Sequence, residues 1–146
     1  MNHRILAIDP SGTGTTGIFF TNGKQEGFNE YKHNCWKNHY SFIASLVNLY
    51  KPDLLLFENT NFINNRNKDS LNLIRLLGAI ECLPIKEVQS INVLKVKELS
   101  KALFAGTATI PNLEYQPGRG KGWIFAGKRI SIHQLEAYLV WYLWNS

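Results

Sequence analysis

The chain has 146 residues, 45% hydrophobic and 12% aromatic, with a net charge of +5 and a pI near 9.3. That is enough apolar material for one domain with its own core, residues 1–146, and no internal repeat, low-complexity tract or linker divides it. The longest apolar stretch, residues 137–144, is too short to span a bilayer, no signal-peptide pattern opens the chain, and Cys35 and Cys82 fit no metal spacing; a cytoplasmic protein with reduced thiols, no membrane association and a polyanionic partner is expected.

The first element organises the rest. Ile5, Leu6, Ala7 and Ile8 form an apolar run of strand length that ends in Asp9, a carboxylate costly to bury alone. Pro10-Ser-Gly-Thr-Gly-Thr-Thr-Gly17 follows. Ile18, Phe19 and Phe20 then resume a strand before Asn22-Gly23 turns the chain again. The pattern predicts a strand, a glycine-rich turn and a returning strand, with one acid at the mouth of the sheet. Gly12, Gly14 and Gly17 match the letters of the dinucleotide fingerprint, but that motif opens a helix and strand formers stand here instead. A P-loop fails because Gly-Lys-Ser/Thr is missing. Two readings of the segment stay open: a turn whose glycines merely satisfy positive φ, or a turn that presents Asp9 for chemistry.

Residues 25–33 alternate loosely and predict a third strand of an antiparallel meander. Over residues 36–50 the apolar positions fall at helical spacing, and Lys51-Pro52-Asp53 ends that helix. Leu54, Leu55, Leu56 and Phe57 are a continuous apolar run, as in a strand buried on both faces. It ends in Glu58, repeating the arrangement at Asp9. Residues 59–69 are polar and Asn-rich and read as an exposed loop with Phe62, Arg66 and Lys68. Phe62 there either stacks on or wedges between bases, or folds back onto the core. Asp69 and Ser70 offer N-caps for a helix over 71–83. Its apolar arc is wider than one face against a sheet requires, as in a subunit interface or a fully covered core helix. A short strand over 85–88 precedes a helix over 90–104, capped by Ser90 and ended by Gly106. Its Lys95, Lys97 and Lys101 make either a solvated face or phosphate contacts.

Residues 107–129 carry Pro111, Pro117 and four glycines, and read as a basic glycine-rich loop. Arg119, Lys121, Lys128 and Arg129 interleave with Trp123 and Phe125, so that cations can neutralise phosphates while aromatics stack on bases. Ser131 can cap the last helix, over 132–144. His133 and Glu136 are three apart and share one face of it. On so apolar a helix such a pair needs a metal, a salt bridge or solvent at the helix start.

Taken together, Asp9, Glu58, His133 and Glu136 lie at two strand ends and on one final helix. With Ile5-Leu-Ala-Ile-Asp-Pro-Ser-Gly12, Leu55-Leu-Phe-Glu58 and His133-Gln-Leu-Glu-Ala-Tyr138 in that order, the chain resembles the ribonuclease H-like nucleases. It is most similar to the Holliday-junction resolvases of the RuvC type, over nearly its whole length. The resemblance implies an α/β ribonuclease H-like fold, a mixed five-stranded sheet of three antiparallel strands then two parallel ones, flanked by helices. It also implies a metal-dependent endonuclease that resolves four-way DNA junctions by paired nicks, as a homodimer whose two-fold axis matches that of the substrate. Asp9 and Glu58 fall on the family's first two acids and His133 on a position that is Asp or His. Glu136 falls on the last acid, typically Asp; the extra methylene shifts the site or favours a roomier ion such as Mn2+. Lys95 or Lys97 corresponds to a helix lysine near the scissile phosphate, the register being open. Phe62 is the candidate for the aromatic inserted at the junction centre. The basic insertion around residues 118–128 is longer than in typical members.

Hard oxygen ligands suit Mg2+, and two ions about 3.5–4 Å apart would activate the attacking water and stabilise the leaving 3′ oxygen. Asp9 would then bridge the ions, Glu58 and Glu136 would each hold one, and His133 would ligate or orient. Three alternatives stay open. One is a related nuclease acting on other branched DNA or on RNA, and another is a non-catalytic junction-binding protein, raised by Glu136 in place of Asp. The third is an actin-like nucleotide-binding domain, which would need two such units in tandem.

Overall fold

The computed structural model describes residues 3–59, 68–120 and 122–146. Phe62, Arg66 and Lys121 lie outside the described residues, as does the side chain of Lys68. The hydrophobic runs become β1 (Ile5–Asp9), β2 (Thr15–Thr21), β3 (Glu26–Lys32), β4 (Leu54–Asn59) and β5 (Glu87–Asn92), one sheet in the order β3-β2-β1-β4-β5. β1 to β3 pair antiparallel, while β4 runs parallel to β1 and β5 parallel to β4. This is the mixed sheet expected from the sequence.

Side-chain alternation along the two central strands builds the layers. Leu6, Ile8, Leu55 and Phe57 point to one face, where α1 (Trp36–Tyr50) and α2 (Lys68–Glu81) cover them with Ile43, Leu46, Leu76 and Ile80. Ile5, Ala7, Leu54 and Leu56 point to the other, under α3 (Val93–Ala105) and α4 (Ile132–Asn145) with Val96, Leu135 and Leu139. Full burial of each such aliphatic side chain is worth roughly 1.5–3 kcal/mol. By the same alternation Asp9 and Glu58, two positions beyond Ala7 and Leu56, belong to the α4 face. Helix α1 ends as expected: Lys51 turns left-handed (φ 50°), its N–H reaching the Val47 carbonyl, and Pro52 follows.

Three expectations are corrected. The segment read as a basic glycine-rich loop contains a second, antiparallel sheet of β6 (Leu113–Gln116), β7 (Gly122–Phe125) and β8 (Lys128–Ile130). Trp123 and Phe125, read as base-stacking aromatics, are only 7% and 9% exposed and belong to the core. Phe125 packs on Tyr138 of α4 with ring centroids 4.8 Å apart, and Tyr138 meets Phe19 edge-on at 5.0 Å. Covered by sheets on two sides, α4 buries residues 135–140 in succession.

The second correction is that β5 runs to Asn92, because its pairing with β4 continues as far as Asn59. Asn92, not Ser90, then caps α3, accepting the Leu94 N–H at 2.8 Å. The third is that α2 begins at Lys68, with Asp69 and Ser70 inside its first turn rather than before it. Both cysteines are free, and no helix among the described residues is long and apolar enough to cross a membrane.

Candidate metal centre

Register brings the acids together. Ile8 pairs with Phe57, so the next residues, Asp9 and Glu58, emerge side by side from two parallel strands. On the far side of β1, Asp9 pairs with Gly17 of β2. A Cβ on Gly17 would run into the His133 carbonyl and lie 2.9 Å from the Gln134 nitrogen. The missing side chain is therefore what lets the first turn of α4 settle onto the sheet beside Asp9. Gly12 does the same on the other face, where a Cβ would lie 2.7 Å from the Asn72 carbonyl carbon of α2. These two glycines of the fingerprint-like motif serve close packing, with no nucleotide needed to explain them.

Helix α4 is held at its start by a capping box: the Ser131 hydroxyl accepts the Gln134 N–H, and the Gln134 side chain accepts the Ser131 N–H. The Ser131 hydroxyl also donates to Glu30 of β3 at 2.7 Å. Thus fixed, α4 lowers Glu136 onto the strand ends. Asp9, Glu58 and Glu136 each offer a carboxylate oxygen, and these atoms all lie within 4.8 Å of one another. All three residues are buried. Two unit charges at that separation repel by about 3.5 kcal/mol at an effective dielectric of about 20, so three carboxylates demand protons or cations.

The protein's own groups meet part of that demand. Lys97 of α3 donates to Glu136 Oε1 at 2.5 Å. Burial opposes its charge, but the bond to Glu136 and the pull of Glu136, Glu58 and Asp9 outweigh burial and raise its pKa. His133 Nδ1 stands 3.4 Å from Asp9 Oδ2, and that bond raises the imidazole's pKa against the effect of burial. Positive charge is still short. Burial, then Asp9, raise Glu136 more than Lys97 lowers it. Glu58 is pushed up to about 9 by burial, then by Asp9 and Glu136. Its Oε2 is buried with no hydrogen-bond partner among the described residues. An oxygen-only set with an orphaned buried carboxylate oxygen fits a hard divalent cation.

The structure therefore gathers Asp9, Glu58, His133 and Glu136, with His133 beside the compact trio rather than within it. Lys97 reaches the acids, whereas Lys95, two positions earlier, is exposed and cannot share its helix face. Arg119, Lys128 and Arg129 are exposed on the small sheet and its turns; Arg129 donates to the Gly120 carbonyl. Among the described residues none of the three pairs with the carboxylates. Sequence reasoning missed the structural parts of Gly17 and Glu30, both of which depend on contact with α4 from the other end of the chain.

No protein-family model matches the chain, and no curated protein matches it in sequence. Solved structures do. RuvC of Thermus thermophilus in complex with a Holliday junction substrate aligns with a TM-score of 0.59 at 12% identity, covering 94% of this chain and 89% of that one. A second Thermus thermophilus RuvC structure aligns at 0.57 and 16% identity, covering 94% and 90%. The chain has the ribonuclease H-like fold of RuvC; at these identities the likeness is one of fold.

Proposed function

We propose that the chain is a divalent-metal-dependent endonuclease that resolves four-way DNA junctions by paired nicks, acting as a homodimer. The observation that carries this reading is the convergence of Asp9, Glu58 and Glu136, with Glu58 Oε2 left unsatisfied in the buried cluster. Two further observations support it. The aligned Thermus RuvC was solved on a Holliday junction, and the net charge of +5 suits a polyanion. Leu71 and Ile74 of α2 remain exposed for a second copy.

Asp9, Glu58 and Glu136 would hold the metal, Mg2+ or Mn2+, two ions per site, and His133 would ligate or keep Asp9 oriented. When bound, the metal supplies an activated water and a counter-charge for the leaving 3′ oxygen. The chain does the rest. Glu58 must give up its proton, and Glu136 must exchange the Lys97 ammonium for the new partner. Lys97, half exposed at the rim, is then released toward a phosphate. Lys95, Arg119, Lys128 and Arg129, all exposed, would hold the junction arms. Arg66, Lys68 and Lys121 are proposed for the same role from the sequence, and Phe62 for the aromatic at the junction centre.

The test uses a fixed-sequence four-way junction, with duplex, fork and single-stranded RNA as controls, in Mg2+ and then Mn2+. Symmetric nicks in the junction, lost in Asp9→Asn, are expected. Cleavage confined to a control would change the substrate, and undiminished activity of Asp9→Asn would refute the site. Tight junction binding without cleavage in either metal would leave a binding protein, with Glu136 as the departure to examine.

A further inference from the structure

A second polar cluster lies beneath the loop that leads away from Asp9, and the metal centre makes no direct use of it. His39 of α1 is 0% exposed. Both its ring nitrogens are engaged: Nε2 is 2.7 Å from the His33 carbonyl oxygen and Nδ1 is 2.8 Å from Thr16 Oγ1. A carbonyl only accepts, so Nε2 carries the proton, and Nδ1 of the neutral ring accepts the Thr16 hydroxyl proton. Burial lowers the pKa of His39, against the bond to the His33 carbonyl that raises it, and favours that neutral ring. Tyr31 meets the ring edge-on at 5.3 Å.

The Thr16 oxygen is thereby left to accept the Ser11 N–H, at 3.0 Å, while the Ser11 carbonyl, 3.2 Å away, is the other acceptor within reach of its proton. Ser11 Oγ accepts the Gly14 N–H at 2.8 Å, and the Gly14 carbonyl accepts the His33 N–H at 3.1 Å. This closes a ring of bonds through α1, the end of β3 and the start of β2. Ser11 stands two residues beyond Asp9, and Pro10 between them has a locked φ. A buried imidazole and hydroxyl would be costly without these bonds. Each bond is made, and each leads to the same loop.

We infer that His39 and Thr16 are positioning residues for the candidate metal centre: the imidazole orients the Thr16 hydroxyl, and the hydroxyl clamps the Ser11 backbone so that Asp9 leaves β1 aimed at Glu58 and Glu136. The inference rests on the metal-centre reading above, and its test separates the two. Amide hydrogen exchange is measured on metal-free protein, and Mn2+ affinity by calorimetry, for wild type, Thr16→Val, Thr16→Ser, His39→Gln and His39→Asn. Valine keeps the volume of threonine without the hydroxyl, and serine restores it. The asparagine amide reaches the place of Nδ1, whereas that of glutamine reaches the place of Nε2.

Thr16→Val and His39→Gln should speed Ser11 exchange about tenfold relative to the β4 amides, as expected for one lost buried hydrogen bond. They should weaken Mn2+ binding by about tenfold, as loss of a ligand's support does. Thr16→Ser and His39→Asn should keep both near wild type. Because β4 is the reference, a general loss of stability does not move the ratio. An unchanged ratio in Thr16→Val overturns the inference, as does a changed ratio with unchanged Mn2+ affinity. His39→Asn behaving like His39→Gln overturns the part given to the Thr16 contact. Wild type that takes up no Mn2+ refutes the metal-centre reading instead, while the Ser11 response would still uphold the clamp.

Discussion

Glu58 is the acid whose charge the fold controls most. Burial, then the Asp9 and Glu136 carboxylates, push its carboxyl up from 4.5 to about 9. In metal-free protein at neutral pH it therefore keeps a proton that the unfolded chain has already lost. Stability falls as pH rises wherever the unfolded state binds fewer protons. The contribution of Glu58 is accordingly complete below about pH 4.5 and lost as pH rises toward 9, at about 1.4 kcal/mol per pH unit. Between pH 6 and pH 8 that amounts to about 3 kcal/mol from one side chain. Glu58→Gln keeps the shape and removes the titration. Urea unfolding of both proteins in a chelator, at pH 6, 7 and 8, isolates the effect, since the other titrating groups are common to both. The variant should gain about 3 kcal/mol on the wild type across that range and be the more stable at pH 8. Parallel pH profiles, to within about 0.5 kcal/mol, would mean that Glu58 is ionised in the folded protein. The argument from burial and like charge would then fail.

Two glycines should respond oppositely to alanine. Gly17→Ala drives a methyl into the backbone of α4 and should cost about 3 kcal/mol or more by urea unfolding, while Gly78→Ala, exposed in α2 with open space around it, should stabilise by up to about 1 kcal/mol. Equal midpoints for the two variants would contradict the close approach of α4 to β2. Trp123→Ala should lose about 3–5 kcal/mol of stability, as a core aromatic does. A variant as stable as wild type but weakened in junction binding would restore Trp123 to the surface and to base stacking.

Much of the fold was legible because its signals are local. The continuous apolar runs of β1 and β4, the helical spacing of residues 36–50, the turn at Asn22-Gly23 and the cap at Ser131 each act over a few residues. They also put Asp9 and Glu58 at strand ends and His133 and Glu136 on one helix face. Alternation even predicts that Asp9 shares a face with Ala7. What it does not tell is which strands are neighbours, and only the parallel pairing of Ile8 with Phe57 sets the two acids side by side. The small sheet was misread for the same reason. Trp123 and Phe125 do alternate with Gly122 and Ile124, but strands of three or four residues among prolines, glycines and cations read as loop until Tyr138 of α4 gives the aromatics something to bury against. Lys95 and Lys97 are equivalent in sequence, and the rotation of α3 against α4 decides that Lys97 meets Glu136. The sequence by itself determined the elements and the acids they carry, because both follow from near neighbours along the chain. The tertiary structure alone decided their convergence and the meeting of Lys97 with Glu136, because burial, repulsion and close contact depend on residues that meet only when the chain is folded.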